Sequence, residues 1–208
     1  MKTTLTLLAT CFIIILFSSC KKDDVLKGDQ SPMGEVGTTV DIGSAGASGV
    51  SDITGTVTAL EDGVSVFSAT ATVTNTALLS LLSNFPEFTI NGNTVSTTDL
   101  KFKMTTEGVE AINVLDPGIL FKYDSEVGDT YPIGSTSKVR EVVSKSTDDD
   151  FYWGWLAIKV IEVEEYPNKY GIKKITYYGN HKWGFVGFRM TFDDDSVAYF
   201  SLFSSTNN

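Results

Sequence analysis

The feature that most constrains the fold is a period-two alternation of apolar and polar residues, repeated along the chain and interrupted by turn residues. In residues 53–60, Val57 lies between Thr56 and Thr58, which is the pattern of a half-buried strand. After a turn, residues 64–74 alternate again, so the two runs predict a hairpin. Many short strands separated by turns predict a mainly β fold, either an antiparallel sandwich or a barrel-like sheet.

The alternation gives way to helical spacing over residues 76–85, and another hairpin comes after it. Asn75 or Thr76 can cap a helix, and Pro86 ends it. Asn91-Gly92 between apolar flanks predicts a tight hairpin turn. We therefore expect one short helix that covers an open end of a β core, with a partner-binding helix as the alternative. The apolar residues at helical spacing are Leu78, Leu79, Leu81, Leu82 and Phe85.

The most apolar stretch after the N-terminus is residues 151–163. Both of its faces are apolar, which predicts a central strand covered on both sides. Glu162, Glu164 and Glu165 are expected to carry this strand out into water. The two predicted faces are Phe151, Trp153, Trp155, Ala157 and Ile161, and Tyr152, Leu156, Ile158 and Val160.

The chain divides into three parts by composition. Residues 20–50 are poor in large apolar groups and rich in Gly and Ser, which predicts a flexible tether. The alternative for part of this segment is a first edge strand over residues 36–42. Residues 51–208 have the size of one ordinary domain, and we expect a single β-rich globular unit.

The N-terminal residues are ordered as an apolar run, two small residues, a cysteine and a charged tail. Residues 12–17 are apolar, Ser18 and Ser19 come next, and Cys20 precedes the charged residues 21–24. The apolar run is too short for a comfortable membrane span, which needs about 20 apolar residues. A short apolar core before small residues is the pattern of a secretory signal and its cleavage site.

The order of these residues resembles the lipobox-type signal of exported bacterial lipoproteins, here Leu16–Cys20. The resemblance implies that residues 1–19 are a signal peptide and that Cys20 carries the lipid that holds the chain at a membrane. The alternatives are a signal peptide that is cut after Ser19 without lipid and a retained anchor. The charged run Lys21–Asp24 resembles the tag that directs some lipoproteins to the outer face of the outer membrane. The expected location is therefore the outer membrane, exposed at the cell surface or otherwise facing the periplasm.

The later half of the chain resembles β-rich domains of exported bacterial lipoproteins of an uncharacterised family. Three stretches carry this likeness: 128–132, 148–152 and 180–184. The likeness implies no activity, and no functional residue is carried over from it.

Charge and cysteine content exclude several classes of function. The formal net charge of −10 argues against nucleic acid, whose phosphates require clustered Lys and Arg. It also argues against acidic lipid headgroups as ligands of the folded domain. The two cysteines are Cys11, which leaves with the signal, and Cys20. The mature domain therefore has neither a disulfide nor a cysteine zinc site.

Catalytic chemistry has few candidates. His181 is the only histidine and lies in a predicted turn, so a nucleophile activated by histidine is not expected. We expect a protein that is not an enzyme, with a carboxylate-based hydrolase as the remaining enzymatic alternative.

Two acidic triplets are the candidate metal ligands. Clustered carboxylates supply the oxygen ligands that calcium prefers, but adjacent residues cannot all point inward. The alternative is a pair of solvated turns that guard strand edges. No other cofactor is expected. The triplets are Asp148, Asp149 and Asp150, and Asp193, Asp194 and Asp195.

Aromatic residues are the candidate ligand-binding set, and the alternative for them is the core. Trp153 and Trp155 are predicted to share a strand face, and Tyr177 and Trp183 complete the set. If exposed, such a face would stack on sugars or on a partner protein. The leading hypothesis is a lipid-anchored envelope or cell-surface binding or structural module, with a glycan or surface protein as partner. The alternatives are a carbohydrate-binding or carbohydrate-active lipoprotein and a calcium-dependent adhesion module.

Overall fold

The computed structural model describes residues 25–42, 49–114 and 116–205. These residues form a 3-10 helix (Pro32–Gly34), one α-helix (α1, Thr76–Leu82) and fifteen strands. The predicted signal peptide, Cys20 and the charged run lie outside the described residues, as do residues 43–48 of the predicted tether. The strands are β1 (Thr39–Ile42), β2 (Val50–Glu61), β3 (Val64–Val73), β4 (Thr89–Asn91), β5 (Thr94–Met104), β6 (Gly108–Ala111), β7 (Gly118–Lys122), β8 (Thr130–Pro132), β9 (Val139–Lys145), β10 (Phe151–Trp153), β11 (Leu156–Ile158), β12 (Ile161–Glu165), β13 (Ile172–Asn180), β14 (Gly184–Phe192) and β15 (Val197–Ser205).

One antiparallel sheet forms nearly the whole domain. Its strand order is β7-β6-β5-β3-β2-β1-β15-β14-β13-β12-β9-β8, with β4 paired to β5. The sheet curls until its two end strands, β7 and β8, approach each other. There Lys122 N donates to Tyr131 Oη over 3.1 Å, and Gly134 N donates to Pro117 O over 3.1 Å. The predicted mainly β, barrel-like fold with one short helix is confirmed.

The predicted hairpins and the helix are confirmed with small changes at their ends. Asp62 and Gly63, between β2 and β3, have positive φ, as does Gly92 between β4 and β5. The Asn75 side chain caps α1 by accepting hydrogen bonds from the N–H groups of residues 77 and 78. The helix ends at Leu82 rather than at residue 85. The Asn84 side chain donates to the carbonyl oxygens of Ser80 and Leu81 at this end, and Phe85 precedes Pro86, a position at which the α conformation is disfavoured.

The prediction of a single central strand over residues 151–163 is wrong. The segment folds into a separate two-stranded hairpin, β10–β11, and then into β12. Gly154, at φ +60°, supplies the left-handed turn residue that the hairpin requires. The hairpin lies on the outer face of the large sheet, over Tyr178 and Val186, and buries Trp153, Ile158 and Val160 there.

The prediction of a flexible tether up to residue 50 is also wrong for residues 25–42. Leu26 is buried with the main core, and its carbonyl accepts a hydrogen bond from Lys103 Nζ over 2.8 Å. Strand β1 is not an edge strand, because it pairs with β15 on one side and β2 on the other. Val40 and Ile42 pack against the main core, and this burial together with the strand pairing holds the segment in the domain.

Candidate functional site

The predicted aromatic set does not form one platform. Trp153 is buried, with 5% of its surface exposed, whereas Trp155 is 89% exposed. Tyr177 is buried inside the sheet, and Trp183 is half-buried beside the hairpin. Trp153 and Trp155 do not share a strand face, because Trp155 occupies the turn between β10 and β11.

Sequence reasoning placed Tyr152 in the interior, but it is 81% exposed. Tyr152 pairs with the exposed Ala157 in the register of the hairpin, while Trp153 at the next position turns inward. Trp155 and Tyr152 are the two most exposed large apolar side chains in the described part of the chain. The glycine at position 154, within an otherwise bulky run, was the signal that could have predicted this turn.

The hairpin stands on a rigid aromatic base. The Trp153 ring stacks on Phe203 with centroids 4.7 Å apart and planes 14° apart, and it also contacts Trp183 at 5.5 Å. Trp153 Nε1 donates to Leu202 O over 3.0 Å. A methyl group at Gly154 would lie 3.1 Å from the Phe203 ring, so the turn itself rests on that ring. The base therefore fixes the position from which Trp155 projects.

The acidic triplets lie in exposed segments, which is the arrangement expected of solvated turns. Asp194 Oδ1 accepts hydrogen bonds from the backbone N–H and the hydroxyl of Ser196, and Asp195 pairs with Lys173 at 2.5 Å. Asp148 to Asp150 immediately precede the hairpin. Within residues 25–42, 49–114 and 116–205, no group of three or more His, Cys, Asp or Glu side chains is placed to hold a metal ion. Calcium binding stays a prediction.

His181 lies exposed in the turn between β13 and β14, where sequence reasoning placed it. The segment around it is organised by Asn180, whose Oδ1 accepts hydrogen bonds from the backbone N–H groups of residues 182 and 183, each over 2.8 Å. The order of this turn therefore depends on Asn180 rather than on the histidine.

A buried polar network joins the two ends of the sheet. Arg140 on β9 is fully buried, and its Nε donates to Glu165 Oε2 on β12 over 2.7 Å. Its remaining nitrogens donate to the carbonyl oxygens of Ile119 and Asp116, next to or within β7. Tyr177 on β13 donates to the same Glu165 oxygen over 3.0 Å. We call these five residues the closing network.

Burial changes the acidities in the closing network. Burial raises the pKa of Glu165, and the neighbouring Asp116 carboxyl adds to this effect against the opposing charge of Arg140. Burial alone would raise the pKa of Asp116 too, but the hydrogen bond from Lys169, at 2.6 Å, contributes to a net lowering. Burial also raises the pKa of Tyr177 well above its usual range. Sequence reasoning expected Glu165 to lie in water. The pairing with Arg140 could not be seen in the sequence, because the two residues are 25 positions apart.

Beneath α1 lie two adjoining apolar pockets, of about 220 and 230 Å³, which are partly open to solvent and share six lining residues; we call them the two lobes of one cavity. One lobe lies between β5, β6, β7, β13 and β14, and the other between β1, β2, β3, β5, β14 and β15. Sequence reasoning missed this space, because the residues of its walls have the pattern of ordinary core residues. The residues that line both lobes are Leu81, Leu82, Phe88, Leu100, Phe188 and Met190.

Comparisons of the chain with protein families, with curated proteins and with solved structures found no match. In the described part of the chain, neither helix has the length and apolar character that a membrane crossing requires.

Proposed function

We propose that the protein is a lipid-anchored binding module of the bacterial cell envelope, and that the β10–β11 hairpin recognises an uncharged glycan. The order of residues 12–24 supports anchoring through Cys20, and the expected location is the outer membrane, with the domain at the cell surface or facing the periplasm. Several acyl chains on one terminus give stable anchoring, where a single chain is only marginal.

The observation that carries the binding role is the exposure of Trp155 on a fixed base. A tryptophan that is 89% exposed gains nothing for folding from its large apolar ring. Aromatic rings of this kind supply contact area at low entropic cost, and Trp and Tyr are enriched among the residues that dominate binding energies. Trp155 with Tyr152 therefore forms a small recognition surface that the buried Trp153 holds in place.

The carboxylates that precede the hairpin and the net charge of the chain favour an uncharged partner, with Lys159 and Lys182 as the cations beside the hairpin. Asp148, Asp149 and Asp150 adjoin the hairpin and are exposed, and the whole chain carries a formal charge of −10. This charge disfavours anionic polymers, whereas carboxylate oxygens accept hydrogen bonds from sugar hydroxyls. Stacking of an aromatic ring on the apolar face of a sugar, next to hydroxyl-binding carboxylates, fits a neutral glycan. A surface protein is the alternative partner.

Binding is tested on the chain from residue 21 onward, which retains every described element. Affinities for immobilised neutral polysaccharides are compared between this chain and the double variant Trp155→Ala/Tyr152→Ala. We expect at least about a thirtyfold loss of affinity, since truncating one dominant aromatic contact costs about 2 kcal/mol or more. Tyr166→Ala, which removes an exposed tyrosine outside the hairpin, is the matched control and keeps full affinity.

Three outcomes contradict separate parts of the proposal. Full affinity of the double variant contradicts the role of the hairpin, and binding to proteins but to none of the polysaccharides contradicts a glycan as the partner. Hydrolysis of a glycan that is lost with one carboxylate substitution contradicts a role limited to binding. Anchoring is tested separately by metabolic labelling with a radioactive fatty acid. The full chain should incorporate label, and Cys20→Ala should not. An unlabelled wild-type chain contradicts the anchor.

A further inference from the structure

We propose that the interior cavity binds a single unbranched acyl chain whose head group is uncharged. This site lies inside the sheet beneath α1, apart from the hairpin on the outer face, and the proposal does not rest on the glycan-binding role. It is carried by the size, the lining and the shape of the cavity and by the charges near it.

The cavity is too large to be an ordinary packing defect. Protein interiors are packed at the density of organic crystals, with few voids larger than a water molecule. An apolar cavity of about 150 Å³ is already large enough to stay dry and bind benzene. Each lobe here exceeds that volume, at about 220 and 230 Å³. Taken together, the two lobes reach the range of about 300–1,000 Å³ that is typical of small-molecule sites.

The architecture explains why side chains do not fill this space. A closed sheet of about eight strands is just wide enough for its own side chains or one small ligand. The curled sheet here has twelve strands along its path, and α1 with the adjoining segment covers the space between its two halves. The strands of the two halves therefore stand too far apart for their side chains to meet everywhere.

The shape of the cavity selects a slender and flexible ligand. The two lobes share walls made by Leu82, Leu100 and Met190, so a ligand that fills both must pass between these side chains. Leu and Met side chains have several rotatable bonds, and Met in particular adapts to irregular shapes. Phe188, stacked on Phe200 at 4.5 Å, forms a stiff wall on one side. An acyl chain fits this passage, whereas a rigid polycyclic ligand does not.

The polar residues of the first lobe indicate the head group. They are Glu87 and Asn113, which are both half-buried, and Tyr177. The Tyr177 hydroxyl already donates a hydrogen bond to Glu165. The Asn113 amide already donates to Asp99 O and accepts from Lys101 N. Among the described residues lining the two lobes there is no Lys, Arg or His. A ligand carboxylate would therefore meet the Glu87 carboxyl without a cation, which disfavours a free fatty acid.

The test measures binding of 1-monolauroylglycerol, below the concentration at which it aggregates, to the chain from residue 21 onward by calorimetry. We expect one molecule bound per chain at pH 7. Two comparison ligands should bind at least about tenfold more weakly. Laurate has the same acyl chain but a carboxylate head group, and cholesterol is rigid. Tighter binding of either comparator, or no binding of 1-monolauroylglycerol, overturns the proposal.

Two substitutions that fill the lobes locate the site. Ala111→Phe enters the first lobe and Ala71→Leu the second. Each should weaken binding at least about tenfold, while Ala77→Leu, on the exposed face of α1, leaves it unchanged. Circular dichroism and thermal melts check folding, and the second variant keeps the test decisive if the first misfolds. Unchanged affinity in folded filling variants overturns the assignment. Trp155→Ala/Tyr152→Ala should bind normally, which separates this test from that of the hairpin.

Discussion

The closing network and the interior cavity are two regions of the same interior. The first is filled by hydrogen-bonded polar side chains, and the second is lined by apolar side chains that leave space between them. In the closing network, Arg140 and Glu165 are buried and hydrogen-bonded between the ends of the sheet. Beneath α1, the lining is apolar and a cavity remains. Tyr177 belongs to both regions, because its ring lines one lobe and its hydroxyl donates to Glu165.

The difference shows how a wide sheet can be closed and still leave space inside. The end strands β7 and β8 are short, so few backbone bonds can join them. The Arg140 side chain instead donates to carbonyl oxygens at β7 while it pairs with Glu165 on β12. Because the closure is made by these side-chain bonds together with the bonds of Tyr131 and Gly134 at the end strands, the region beneath α1 does not have to be tightly packed to hold the sheet together.

The largest expected effect is that of removing the Arg140 charge. Arg140→Met leaves the Glu165 carboxyl buried without its main partner and removes the bond to the Ile119 carbonyl. Breaking a buried pair in this way costs about 3–5 kcal/mol of the free energy of unfolding. Urea denaturation measures the loss. Lys173→Met, which breaks the exposed pair with Asp195, is the control and should change nothing measurable. A loss no larger than the control's would contradict the role of the network.

A pair of phenylalanine truncations compares a tightly packed part of the interior, on β7, with the wall of the cavity. Phe121 on β7 is fully buried and packs against Gly179 of β13, where a methyl group would lie 2.6 Å from its ring. Phe121→Ala should cost about 3–5 kcal/mol. Phe88→Ala, in the wall of the cavity, should cost about 1–2 kcal/mol, because Phe88 is half-buried and already borders empty space. Equal losses in urea denaturation would mean that the cavity region is packed like the rest.

The pH dependence of stability tests the burial of Glu165. Its pKa is raised above the ordinary value of 4.5 in the folded chain, mainly by burial. Between pH 4.5 and the raised pKa, the folded state holds more protons than the unfolded state. The contribution of Glu165 to the free energy of unfolding therefore falls as pH rises through this window, by less than about 1.4 kcal/mol per pH unit for one proton.

Glu165→Gln isolates this contribution, since Glu110 and Glu162 also have pKa values raised by burial. In this variant, the free energy of unfolding should fall less steeply with pH above pH 4.5 than in the wild type. The difference between the two slopes is the contribution of Glu165. Urea denaturation at several pH values measures it. A slope identical to that of the wild type would show that Glu165 titrates as an exposed carboxyl does.

The smallest expected effect concerns the hairpin, outside both regions. Trp155→Phe should leave stability unchanged, because the Trp155 ring is 89% exposed. It should also lower the acrylamide quenching of tryptophan fluorescence, since the two tryptophans that remain are the buried Trp153 and the half-buried Trp183. Quenching as strong as that of the wild type would contradict the exposure of Trp155.

Local structure could be predicted well from the sequence, and long-range arrangement poorly. Alternation, the Asn91-Gly92 turn and the Asn75 cap depend on neighbouring residues, and the structure confirms them. Residues 25–42 looked like a tether because one of the two strands that pair with β1 is distant in the sequence, with Ser205 opposite Thr39. The pairing of Arg140 with Glu165 and the cavity depend on how the sheet closes, which no local pattern encodes.

The contrast between the two regions is tested most directly by methyl NMR during a titration with 1-monolauroylglycerol. We expect shifts and ligand contacts at the methyl groups of Leu82, Leu100 and Met190, which line the cavity. We expect none at Val142 and Val163, which are fully buried on β9 and β12 near the closing network. Ligand contacts at Val142 and Val163, or none at the three cavity residues, would contradict the contrast.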